Sequence, residues 1–193
     1  SFFAPRKSVF EVDILDVGQG DGIFLSSEEG VHFFIDGGSS SEEDVGTYQI
    51  LPFLKYRGIR SIDYWFLTHT DEDHVNGFTA CVEAGYPVKT LVFPKNGVKG
   101  EEWNEIASLA EGHGIKIQYM NVGDRCGTKT LELECLYPGD GEEEEDTNGA
   151  SLVLLARCGS FSGLFTGDIG ADQELELCEG LLSDRMENCR RKT

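Results

Sequence analysis

The chain has 193 residues, 39% of them hydrophobic and twelve of them Phe, which excludes a disordered segment and suits one domain with a substantial core. Aspartate and glutamate outnumber lysine and arginine 35 to 16, and the formal net charge of -19 repels nucleic acid and anionic membrane unless metals or basic partners compensate. No apolar run approaches the roughly 20 residues that span a bilayer and no signal-peptide pattern precedes the first strand, so the chain reads as a soluble piece of its parent.

Residues 1–8 read as a linker or domain edge, and 9–193 as a single domain. Alternation and β-branched or aromatic content predict strands at Val9–Asp16, Gly22–Ser26 and Val31–Asp36, punctuated by Gly18, Gly20 and Gly37-Gly38. Ile50, Leu51, Leu54 and Tyr56 recur at near-helical spacing and predict a helix over Tyr48–Tyr56, ended by Gly58. A strand over Asp63–Thr68 follows, then a helix over Phe78–Ala84, a strand at Thr90–Phe93, a helix over Glu101–Glu111 and a strand at Ile115–Tyr119. Thr130–Tyr137, Ser151–Arg157 and Ser160–Thr166 read as an antiparallel set, and a last helix, Asp172–Leu182, precedes the basic Arg190-Arg191-Lys192. This order predicts a layered α/β protein with two sheets and outer helices. The acidic run Glu142–Asp146 reads as an exposed loop. Six scattered cysteines, none in a C-x-x-C pair, read as free buried thiols and not as a zinc site or a disulfide framework.

The chemistry concentrates in His69-Thr70-Asp71-Glu72-Asp73-His74, directly after the apolar strand Tyr64–Thr68. Imidazoles and carboxylates crowded at a strand end are costly to bury without partners. Two divalent ions about 3.5–4 Å apart, clamping and activating a water, would account for them. His69 and Asp71 then serve one ion, and Asp73 and His74 the other. The competing reading is a solvated acidic loop with two incidental histidines. His32, mid-strand in Val31-His32-Phe33-Phe34, reads as structural, and His113 as a helix-end residue.

Five motifs in order resemble the metallo-β-lactamase superfamily, and within it the soluble domain of the ComEC family of DNA-uptake competence proteins. They are Asp16-Val17-Gly18-Gln19-Gly20-Asp21, Ile35-Asp36-Gly37-Gly38, Thr68-His69-Thr70-Asp71-Glu72-Asp73-His74, Asn148-Gly149-Ala150-Ser151-Leu152-Val153-Leu154 and Phe165-Thr166-Gly167-Asp168-Ile169. The resemblance implies an αββα sandwich with the metal site at one edge between the sheets. It implies that Asp168 bridges the two ions, that Asp36 orients the ligands from beneath, and that Asp73 orients the attacking water. Asp21, Asn148 and Ser151 become candidates for substrate contact or for support behind the ligands, although turn chemistry alone would also choose Asp and Asn at such places.

Asp71 stands where the superfamily has a second His, so the donor set is rich in oxygen and favours Mn²⁺, with Mg²⁺ and Zn²⁺ as alternatives. The family also has a His-His-Gly-Ser segment downstream, whereas the last histidine here is His113. The expectation is a domain truncated at its C-terminal end, weak or inactive alone. By resemblance the whole protein is a bacterial cell-membrane protein, and this domain lies on its extracytoplasmic side beside a membrane channel part. It would degrade the DNA strand that is not transported. Lys55, Arg57, Lys95, Lys99 and Arg157 are the cations that could meet phosphates, though no dense basic stripe exists. A hydrolase of a small phosphoester, such as a choline ester, and an inert binding module are the competing functions.

Overall fold

Period-two burial builds both faces of the main sheet in the computed structural model, which describes residues 9–95, 100–139 and 148–190, with Asn148 and 182–190 described by backbone only. Strands β1 (Glu11–Ile14), β2 (Gly22–Ser26), β3 (His32–Asp36), β4 (Ile62–Phe66), β5 (Val88–Pro94) and β6 (Lys116–Met120) lie side by side in chain order. The first two pairings are antiparallel, and β3 through β6 run parallel, with Phe34 beside Trp65 and Ile35 beside Phe66. Parallel neighbours need crossovers. A π-helical turn at Gly46–Ile50 with α1 (Leu51–Arg57), then α2 (Glu72–Glu83), then α3 (Gly100–Gly112) supply them.

Successive strand residues point to opposite faces. Phe24, Phe34, Trp65, Leu91 and Phe93 therefore meet the three helices, while Leu25, Phe33, Ile35, Phe66 and Val92 meet the second sheet. That sheet runs β10 (Phe161–Phe165), β9 (Val153–Cys158), β8 (Glu132–Tyr137), β7 (Arg125–Gly127), all antiparallel. Leu133, Cys135, Leu154 and Ala156 face the first sheet. Tyr137 and Val153 face outward onto Leu177 of α4 (Ala171–Arg190). The layers are helix, sheet, sheet, helix, as expected.

The differences from the expected elements are local. The first strand keeps only Glu11–Ile14, because the turn through Gly18 and Gly20 begins early. The first helix is a π-helical turn followed by α1, closed by Gly58 in the left-handed region at φ 73°. Strand β7 is three residues long and carries no alternation that a sequence pattern could register. The largest change is α2, which starts at Glu72 and not near Phe78. Asp71 takes extended angles at its N-cap and its carbonyl accepts the His74 and Val75 amides, while Glu72 and Asp73 sit at the positive end of the helix dipole. Half of the expected metal loop is thus a helical first turn. The acidic run 142–146, Lys99, residues 1–8 and 191–193 lie outside the described residues.

Helix α2 approaches the sheet closely enough to touch backbone. Phe78 lies edge-on to Trp65 at 5.4 Å, and Trp65 stacks on Phe34 at 4.5 Å. A Cβ at Gly77 would fall 1.8 Å from the Gly37 carbonyl oxygen, and one at Gly38 would fall 2.2 Å from the Asp73 carbonyl carbon. Only glycine admits that contact, and it sets α2 directly on the segment after Asp36.

Gly77→Ala tests the approach. Alanine is the better helix former by about 1 kcal/mol, yet overpacking against a fixed carbonyl costs about 1–3 kcal/mol. The expected outcome is a lower urea midpoint for Gly77→Ala. Gly112→Ala, where the added methyl meets nothing within 4 Å, should not lower it.

Candidate metal centre

The site forms where β3 and β4 end, beneath the first turn of α2. Asp36, last in β3, is 1% exposed and has φ 56°, a rare conformation for a non-glycine residue that costs about 1–3 kcal/mol. Two hydrogen bonds hold it there: Trp65 Nε1 donates to its carbonyl at 2.7 Å, and the Gly37 amide donates to the Asp21 carbonyl at 2.7 Å. Its carboxylate accepts from the Thr68 amide (2.8 Å) and the Thr68 hydroxyl (2.9 and 3.1 Å), and lies 3.0 Å from His74 Nδ1. A carboxylate in this position is fully engaged by neighbouring donors, as a buried charge requires.

The two imidazoles lie against each other, with ring centroids 4.1 Å apart. His69 and His74 are both buried. His74 Nε2 is 3.3 Å from Asp168 Oδ2, which arrives from the turn after β10, where Gly167 adopts φ 54° against Thr68. His69 Nε2 is 3.8 Å from Asp71 Oδ2 and is buried, with no hydrogen-bond partner among the described residues. Burial and the neighbouring His74 push the His69 imidazole below its usual range. Burial would do the same to His74, but its hydrogen bond to Asp36 and the charges of Asp36, Asp168 and Asp73 outweigh that and raise it to about 9.

Of the residues named from sequence, His69, His74 and Asp168 present donor atoms all within 4.8 Å of one another. Asp71 stands beside His69, its side chain partly exposed. Asp73 and His74 diverge on the helix: His74 turns inward, and Asp73 lines a groove between α2 and α3. Asp21 forms a second carboxylate–imidazole group with Asp36 and His74. Burial and the Asp36 charge raise its pKa. Ser151 is buried, its hydroxyl 3.3 Å from His69 Nδ1, which puts it behind the imidazole. The Asn148 side chain lies outside the described residues. His32 stacks on Phe24 and its amide donates to Asp63, and His113 Nδ1 lies 2.9 Å from the Leu109 carbonyl at the end of α3. Both serve the fold. Cys81, Cys126 and Cys135 are free buried thiols as expected, but Cys158 is only half-buried and Cys178 is exposed, because it lies on the outer helix α4; the Cys189 side chain lies outside the described residues.

Sequence reasoning gave Thr68 no role, yet it touches both Asp36 and His69. The available signal was a hydroxyl at the end of an apolar strand, immediately before the first histidine.

An orphaned, buried imidazole nitrogen facing a second imidazole and two carboxylates suits a divalent ion of the borderline or hard type. Metallo-β-lactamases use such centres, and the family profile described as the metallo-beta-lactamase superfamily matches residues 15–180. The chain belongs to that superfamily, whose members are metal-dependent hydrolases.

Within it, the chain is 32% identical over 180 residues to ComE operon protein 3 of Bacillus subtilis, covering 86% of this chain and 23% of that protein. It is 30% identical over 169 residues to Recombination protein 2 of Haemophilus influenzae, covering 87% of this chain and 19% of that protein. With Competence protein ComA of Neisseria gonorrhoeae the identity is 27% over 168 residues. These names agree with the ComEC-family resemblance. The chain spans less than a quarter of the length of these curated relatives. Among solved structures, a metallo-β-lactamase from Staphylococcus aureus superposes with a TM-score of 0.59 at 14% identity, covering 91% of this chain and 52% of that one. CmlA β-hydroxylase (E377D mutant) gives 0.51 at 19%, covering 82% and 30%. Both likenesses concern the fold alone.

An imidazole must be neutral to bind a metal. With its pKa raised to about 9, His74 is protonated in the metal-free protein at neutral pH, so a divalent ion that takes its Nε2 must displace a proton. Calorimetry in buffers of different ionisation heat should find about one proton released per protein at neutral pH. Affinity should rise about tenfold per pH unit until pH approaches 9 and then level off. Binding without proton release would show that His74 is neutral or is not a ligand.

Proposed function

We propose that this chain is the metal-dependent phosphodiesterase domain of a competence protein, and that it degrades the non-transported strand during DNA uptake. The observation that carries the reading is the buried His69 Nε2, without a hydrogen-bond partner among the described residues, beside His74 and Asp168, in a chain with a relative named Competence protein ComA. His69, Asp71, Asp73, His74 and Asp168 would hold two divalent ions, with Mn²⁺ favoured over Zn²⁺ and Mg²⁺ because carboxylates outnumber imidazoles. Ions held there would activate water and offset negative charge developing on a phosphodiester. Asp36 fixes the two imidazoles by hydrogen bonds, directly and through Thr68. Asp73 lines the groove on the other side of the helical turn from His74 and would orient the attacking water from there.

Electrostatics limit how a strand reaches this centre. Arg57 pairs with Glu11 and Asp13, and Arg157 pairs with Glu134 and Glu132, so two of the cations expected to meet phosphates neutralise carboxylates of their own chain. Phosphate affinity would therefore come from the rest of the parent protein, including its membrane channel part, on the extracytoplasmic side. Among the described residues no helix is long and apolar enough to cross a membrane.

A small cationic phosphoester is the second reading. A groove of about 1010 Å³ opens beside Asp71 and Asp73, with Glu72, Glu83, Glu102 and Glu105 above Val75 and Leu109. Its charge suits a cation. Among the described residues its lining holds no aromatic ring, however, and quaternary ammonium groups are typically held over ring faces. The DNA reading stands ahead for that reason.

The test compares single-stranded DNA with a chromogenic choline phosphoester at matched salt, because phosphate contacts make DNA affinity steeply salt-dependent. The expected outcome is slow, Mn²⁺-dependent DNA cleavage that falls about 100-fold or more in Asp73→Ala. Turnover of the choline ester alone would overturn the nuclease reading. Turnover of neither by a folded chain supplied with Mn²⁺ would favour a binding module.

A further inference from the structure

We propose that Thr68 is a one-way hydrogen-bond relay from Asp36 to His69, which holds the proton of His69 on Nδ1 and leaves Nε2 as a lone pair aimed into the metal centre. The inference rests on the metal-site reading for its purpose, though not for its geometry. The Thr68 hydroxyl lies 2.9 and 3.1 Å from the two Asp36 carboxylate oxygens and 2.9 Å from His69 Nδ1. A carboxylate offers only acceptors, so the single hydroxyl proton must point toward Asp36. Were it turned to His69, two oxygen lone pairs would face each other across a buried 2.9 Å contact. Toward His69 the hydroxyl can then only accept, and Nδ1 must be the donor. In a neutral imidazole the other nitrogen carries no proton. That nitrogen, Nε2, is the buried atom without a partner.

The hydroxyl has little freedom to do otherwise. The Thr68 amide donates to Asp36 Oδ1 at 2.8 Å, and its carbonyl accepts from the Leu152 amide at 2.9 Å. A Cβ on Gly167 would lie only 3.0 Å from the Thr68 Cβ and 3.2 Å from its methyl, so the β-branched side chain sits in a slot that glycine leaves for it. β-branching further restricts χ1. Ser151 Oγ lies 3.3 Å from the same Nδ1, a longer and secondary contact. Asp36 also faces His74 Nδ1 at 3.0 Å, so the same logic places a proton there. One carboxylate thereby sets both imidazoles, the second directly and the first through a threonine. Thr68 is a positioning residue: it acts on the ion only through His69.

The experiment reads the tautomer in the metal-free chain by long-range ¹H–¹⁵N NMR of histidine-labelled protein at mildly alkaline pH. Competition with a chelator then gives the Mn²⁺ affinity. The parent should show His69 protonated on Nδ1. Thr68→Val, nearly isosteric, should shift His69 toward the Nε2–H form and weaken Mn²⁺ about 10- to 100-fold, the usual range for lost ligand support. Thr68→Ser should keep the Nδ1–H form and most of the affinity, and Ser151→Ala should keep the tautomer. A parent with the proton on Nε2 would overturn the relay, as would a folded Thr68→Val that keeps the parental tautomer or a shift caused by Ser151→Ala instead. If Thr68→Val does not fold, the parental tautomer and the Thr68→Ser result still decide. A parent that shows Nδ1–H yet binds no divalent ion leaves the relay in place and removes the metal-site reading.

Discussion

The carboxylate of Asp36 is the contact on which the rest of the site depends. It is buried and held at a positive φ that an aspartate adopts only under constraint. The constraint comes from the indole of Trp65 on its carbonyl and from the backbone bond between Gly37 and Asp21. In that position it accepts from the end of β4 and faces the first turn of α2, so strand and helix are tied at one point. The close approach of Gly77 to Gly37 and of Gly38 to Asp73 serves the same end, because any larger residue would lift α2 and carry His74 away from Asp36. The aromatic stack of Phe34, Trp65 and Phe78 supplies apolar burial behind it, worth about 1.5–3 kcal/mol for each ring removed from water.

The second constraint is charge. A net charge of -19 would make the domain a poor partner for DNA at long range. Several cations are spent internally: Arg125 and Arg157 share Glu132 and Glu134 across the second sheet, and Lys89 bonds Asp63. The acidic groove between α2 and α3 borders Asp71 and Asp73, whereas Asp168 reaches the centre from the side of β10. An acidic shell around such a centre would also concentrate divalent cations there.

Much of this arrangement was legible in the sequence because its signals are short-range and chemical. Strand β4 announced itself by its aromatic run, and the histidines and aspartates after it could not be explained as packing. The two-sheet layering followed from strand and helix order, and Leu177 packing on Tyr137 and Val153 fills the outer layer that order implied. The misreadings have physical causes. Helix α2 begins earlier than its apolar spacing predicts because Asp71 and Asp73 have low intrinsic helix propensity, while the dipole and the Asp71 carbonyl stabilise the turn in the fold. Asp73 and His74, adjacent in sequence, part company for the same reason, since consecutive helical residues do not share a face. Thr68 went unassigned because a strand-end threonine carries no signal until the partners of its hydroxyl are known. Ser151 meets His69 across 82 residues of chain, which no local pattern encodes.

The most direct test of the centre is anomalous diffraction from crystals soaked in Mn²⁺. Strong anomalous density should appear within bonding reach of His69 Nε2, His74 Nε2 and the Asp168 carboxylate, with Asp36 behind the imidazoles and bound to no ion. Density only elsewhere on the acidic surface, or an ion bound directly by Asp36 with His69 Nε2 left unpartnered, would contradict the account.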